Sequence, residues 1–108
     1  MSELPPPAPT AGLRLASAVC GTEVVVVRVA DPAAVIECGG APMRAAGTPP
    51  TPGAAPAAGL DGGSLIGKRY GGVDAPVELL CVKAGAGTLA ASGLVLDLRS
   101  AKPLPASD

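Results

Sequence analysis

The sequence predicts an all-β fold: a small β-meander or barrel-like domain, built as two short lobes joined by a Pro/Gly/Ala-rich loop. Three observations carry that expectation. The apolar residues alternate or cluster in short β-branched blocks, above all Val24-Val-Val-Val27, and β-branching disfavours helix. No segment keeps a 3.6-residue apolar period over three turns. Gly and Pro, 15 and 13 of the 108 residues, interrupt the chain too often for long helices.

The elements follow in order. Residues 1–12 are rich in Pro, Ala and Thr and read as a disordered or polyproline-like arm. A single domain over 13–100 follows, with one lobe at 13–43, a flexible loop at 44–63 and a second lobe at 64–100. An alternating segment starts at Leu13-Arg-Leu15 and runs toward Val19. Glu23–Ala30 is a strand, stopped by Asp31-Pro32. Ala34–Cys38 is a short strand closed by Gly39-Gly40, and the three runs suit a meander. Residues 44–60 show no apolar period and are predicted to be irregular, without a helix over 54–62. The second lobe offers Val77–Val82 and then Gly93–Arg99, with Leu94, Leu96 and Leu98 on one face. Gly85-Ala-Gly87 and Ser92-Gly93 are turns, and 101–108 is a stiff tail. A faint internal repeat aligns the Cys38 strand and its glycines with the Cys81 strand and its glycines.

Composition limits function. Net charge is −1 with mixed signs, and Tyr70 is the only aromatic residue. That leaves no basic stripe for phosphates and no platform for bases, so nucleic acid is not an expected partner. The N-terminus lacks a signal-peptide pattern, and no apolar run could span a bilayer. A cytoplasmic protein without membrane contact is expected, and the Ala, Gly and Pro usage suggests a bacterial source. Histidine is absent, which excludes a Ser-His-Asp triad. The carboxylates show no pairing pattern.

The three cysteines, Cys20, Cys38 and Cys81, carry most of the available chemistry. Ser17-Ala-Val-Cys20-Gly21, the valine strand, and Glu37-Cys38-Gly-Gly-Ala-Pro-Met43 together resemble desulforedoxin and the N-terminal domain of desulfoferrodoxin. The resemblance covers residues 17–43. It implies a small β-scaffold that holds one iron through four thiolates. Cys20, Gly21, Cys38, Gly39 and Met43 fall on the pattern, while Ser17 and Glu37 stand where the family has its other two cysteines. The resemblance therefore implies a scaffold with half its ligands replaced.

As a redox pair, Cys38 and Cys81 read poorly. Glu37 beside Cys38 opposes ionisation, and Cys81 lies in an apolar run. Both are expected as buried, strand-borne hydrophobes, Cys38 sharing a face with Ile36 and Cys81 with Val77 and Leu79. Gly62-Gly-Ser-Leu-Ile-Gly67-Lys68 approaches a phosphate loop, but Arg69 replaces the Ser or Thr and no buried strand precedes it. It reads as a glycine-rich loop entering a strand at Leu65. Lys68, Arg69 and Tyr70 could face a protein partner, with the Tyr70 ring expected in the core beside Leu79.

The expected function is a non-catalytic accessory or protein-interaction module with no cofactor. The alternative is a small iron- or zinc-binding protein using Cys20, Cys38 and Cys81. Val24–Val27 is apolar on both strand faces, which predicts a second covering layer. That layer comes from a protein partner, from a homo-oligomer, or from the chain's own second lobe in a barrel or sandwich.

Overall fold

The computed structural model describes residues 7–72 and 74–99. Residues 1–6 of the predicted arm and the tail at 101–108 lie outside the described residues. The fold is all-β and antiparallel. Ten strands are described: β1 (Arg14–Ala16), β2 (Glu23–Val29), β3 (Ile36–Cys38), β4 (Ala41–Pro42), β5 (Arg44–Ala45), β6 (Arg69–Gly71), β7 (Val77–Lys83), β8 (Leu89–Ala91), β9 (Leu94–Val95) and β10 (Asp97–Arg99). One sheet has the order β10-β6-β7-β2-β1-β5, the other β4-β3-β8-β9. Among the described residues no helix is long and apolar enough to cross a membrane.

The orders reveal two five-strand units with the same path. Each starts with a short strand hydrogen-bonded to a seven-residue strand (β1–β2, β6–β7). Each then enters the second sheet as a tight hairpin (β3–β4, β8–β9) and returns to the first sheet (β5, β10). The units meet where β2 pairs with β7 and β3 pairs with β8. Even the crossings match. Met43 donates its N–H to Ile36 O, and Leu96 donates to Leu89 O, with both side chains buried. Both hairpins turn through two residues at positive φ, Gly39-Gly40 and Ser92-Gly93, as a type I′ turn requires.

This arrangement corrects several expectations. The lobes do not stand apart, because each sheet takes strands from both. The first three runs do not form a meander, because β3 leaves for the second sheet after Asp31-Pro32. The internal repeat is real but shifted. The Cys38 strand corresponds to β8, while Cys81 lies on β7, the counterpart of β2. The Leu94–Leu98 alternation is not one strand. The chain changes sheets at Leu96, so only Leu96 is buried while Leu94 and Leu98 are exposed. Arg44–Ala45 forms β5 against β1 rather than loop. Residues 46–60 form turns and irregular backbone, without a helix. Leu65 is exposed in a turn, and its strand starts only at Arg69.

The valine run behaves as its β-branching suggests. Val24 and Val26 are fully buried between the sheets, while Val25 and Val27 are half-buried on the outer face. The covering layer for the inner face comes from the chain itself. Leu15, Ile36, Leu79, Leu89 and Leu96 complete one core spanning both sheets. Tyr70 lies opposite Leu79 in register and is buried. Its hydroxyl accepts the Leu65 N–H at 2.9 Å, which satisfies the one polar atom its ring carries inward. Cys38 and Cys81 are buried on their strands, facing the same way as Ile36 and as Val77 and Leu79 respectively.

Candidate functional site

The loop between β1 and β2, residues 17–22, gathers hydroxyls around a thiol. Ser17 Oγ accepts the N–H groups of Val19 at 3.1 Å and Cys20 at 3.2 Å. This local turn commits the Ser17 lone pairs to the backbone and leaves its hydrogen free to point at sulfur. Cys20 Sγ lies 3.3 Å from Ser17 Oγ and 3.2 Å from Thr22 Oγ1. Cys38 arrives from the second sheet. Its Sγ sits 3.7 Å from Cys20 Sγ, in contact though not bonded.

A second loop closes over the two sulfurs. Gly85-Ala-Gly87 joins β7 to β8, and its backbone comes so near that side chains are excluded. A Cβ at Gly87 would meet Cys38 Sγ at 2.7 Å and Cys20 Sγ at 3.3 Å. Ser64 fixes this loop. Its hydroxyl donates to Gly87 O at 2.6 Å, its N–H donates to Gly85 O at 2.9 Å, and its Oγ lies 3.3 Å from Thr22 Oγ1. The glycine-rich stretch at 62–67 therefore serves as a brace for the thiol site. Its N–H groups hold the 85–88 loop through Gly63 to Ala86 O and Gly62 to Thr88 Oγ1.

The two thiols differ. Burial disfavours the Cys20 thiolate. The Ser17 and Thr22 hydroxyls and the backbone N–H groups of Thr22 and Gly87 outweigh it, and bring the thiol down to about 6. For Cys38 burial dominates, reinforced by the nearby Cys20 charge, and pushes the thiol up to about 11. Cys20 is half-buried and opens on a cleft of about 190 Å³, lined among others by Ser17, Thr22, Glu23, Pro49 and Lys83. Cys38 is fully buried behind it. An accessible thiolate in contact with a buried thiol is the arrangement of a nucleophile and a resolving cysteine.

Of the three predicted ligands, the structure brings together Cys20 and Cys38. Cys81 makes no sulfur–sulfur contact with them among the described residues: its thiol donates to Lys83 O at 3.2 Å, and burial, with the Cys20 charge as a lesser cause, raises its pKa. Among the described residues no three Cys, Asp or Glu side chains gather closely enough to enclose an ion. Glu37 points away from the sulfurs and accepts the Gly93 N–H at 3.0 Å. The predicted partner cluster is divided. Tyr70 is buried, Lys68 is exposed, and Arg69 lies 3.4 Å from Glu78.

The sequence does not single out Cys20 as the thiol of lowered pKa. The signal was local: Ser17-x-x-Cys20-x-Thr22 places hydroxyls three residues before and two after the cysteine. The proximity of Cys38 had no local signal. In the reduced protein, Cys20 alkylation is expected to follow a single ionisation at pH about 6, with Cys38 and Cys81 unmodified on that timescale. Iodoacetamide labelling followed by peptide mapping over a pH series checks this. An inflection near the ordinary thiol value would remove the activation.

No family model, curated protein or solved structure matches the chain.

Proposed function

We propose that this protein is a thiol–disulfide reactant, in which Cys20 attacks and Cys38 resolves to form an intramolecular disulfide. The 3.7 Å contact between a cleft-facing Cys20 and a buried Cys38 carries this reading. Disulfide formation needs the sulfurs to close to about 2.05 Å, a shift of the size that side-chain rotation supplies. Gly85 and Gly87 present only backbone to the two sulfurs. Each chain reacts once per oxidation, so the reading does not require an enzyme.

The expectation of a non-catalytic interaction module rests on composition and on apolar strand faces. The thiol pair is the more specific feature. The metal reading keeps one supporting observation. Ser17 Oγ accepts two successive backbone N–H groups, as the first ligand of a metal-binding turn does, although only two thiols accompany it.

A trap separates the readings. Treated with a small aromatic disulfide, the wild-type protein is expected to lose both thiols and retain no adduct. Cys38→Ser is expected to hold a stable mixed disulfide on Cys20. Persistent adduct in the wild type would defeat the proposal. Unreactive thiols that come with about one bound zinc or iron per chain would favour the metal reading.

A further inference from the structure

The lining of the Cys20 cleft carries two opposite charges, a half-buried Glu23 and an exposed Lys83. Glu23 and Lys83 both line it, and they face each other in register across β2 and β7. Neither is in an ion pair among the described residues, where Arg69–Glu78 is the one salt bridge. Opposite charges directly across two strands attract each other. Here both line the cleft that Cys20 also lines. The cleft is small, at about 190 Å³, and suits a few heavy atoms rather than a folded protein.

Building on the thiol–disulfide reading, we infer that the substrate is an amino-acid-type low-molecular-weight disulfide. Its ammonium group lies toward Glu23, its carboxylate toward Lys83, and its sulfur against Cys20. The reaction balances without a further reactant. The Cys20 thiolate attacks one sulfur of the small disulfide, whose S–S bond breaks, and the electron pair leaves on the first small thiolate. The Cys38 sulfur then attacks the Cys20 sulfur, loses its proton to solvent and expels the second thiolate. The protein dithiol is oxidised by two electrons, and the small disulfide is reduced to two thiols.

Four small symmetrical disulfides test this: zwitterionic cystine, cationic cystamine, anionic 3,3′-dithiodipropionate and neutral 2-hydroxyethyl disulfide. Rates of thiol release are normalised to those of a short cysteine peptide, which removes the intrinsic reactivity of each reagent. The expected result is a preference of about tenfold for cystine over the neutral disulfide, as two weak surface ion pairs provide. Lys83→Gln is expected to reduce the cystine and dithiodipropionate ratios, and Glu23→Gln those of cystine and cystamine. Arg28→Gln, a control at an exposed site on β2, should leave all four ratios unchanged. Equal normalised rates, or a Lys83→Gln profile like that of Arg28→Gln, would overturn the inference while leaving the dithiol reading intact. Failure of all four reagents to form the Cys20–Cys38 disulfide would overturn both.

Discussion

Replacing Gly85 with alanine is expected to destabilise the protein by about 3 kcal/mol, at the upper end of overpacking effects. The new Cβ would lie 2.3 Å from Thr22 Oγ1, 2.5 Å from Thr22 N and 3.0 Å from Cys20 Sγ. The hydroxyl could rotate away, but the backbone nitrogen cannot. The loop would have to lift, breaking the paired bonds between Ser64 and Gly85. Gly21 provides the control within the same site. A Cβ there would find its nearest atom, Ala84 O, at 3.6 Å, so Gly21→Ala is expected to change stability by no more than about 0.5 kcal/mol. Urea denaturation of both variants under reducing conditions checks the pair. Equal midpoints would show that the loop does not press on the thiols.

The second large effect concerns acidity. Removing both hydroxyls, Ser17→Ala with Thr22→Ala, takes away the two leading contributions that offset burial at Cys20. The alkylation inflection is expected to rise by at least about one pH unit from its value near 6, since each pH unit represents about 1.4 kcal/mol of thiolate stabilisation. The rate at neutral pH is a weaker readout. A less acidic thiol is less ionised, but its thiolate is more nucleophilic, and the two changes partly cancel. The shift also has a consequence for stability. A thiol depressed in the folded state contributes stability that is fully present above the unfolded thiol range and is lost as pH falls through about 6. Cys38 works in the opposite direction, but only above the ordinary thiol range.

The parts of the fold that were legible in the sequence are those set by local sterics. Val24–Val27 could only be strand, Asp31-Pro32 could only interrupt it, and Gly39-Gly40 and Ser92-Gly93 sit at the positive-φ positions of their hairpins. The single ring, Tyr70, was expected in the core on its area, against a partner contact as the alternative, and it is buried. What was not legible depends on pairings distant in sequence. Leu89-Ala-Ala91 is too short and too alanine-rich to announce a strand, yet it is central because β3 needs a partner. β5 exists because β1 has an open edge. The sheet change at Leu96 leaves the period of two undisturbed, so alternation alone could not reveal it.

The candidate site divides in the same way. The hydroxyls that activate Cys20 lie within three residues of it and were readable. Cys38 reaches it from the other sheet, and the 85–87 loop from the other five-strand unit. The resemblance in residues 17–43 drew attention to Cys20 and Cys38 together. It also placed Glu37 in the cluster, whereas strand alternation turns that carboxylate to the opposite face.

The most direct measurement is peptide mapping of the intact wild-type protein after mild oxidation, without reduction before digestion. The expected product is one cross-linked species joining the Cys20 and Cys38 peptides, with the mass lowered by two hydrogens and Cys81 recovered as a free thiol. Protein that keeps three free thiols, or that links Cys81 in place of either partner, would contradict the assignment of Cys20 and Cys38 as a working pair.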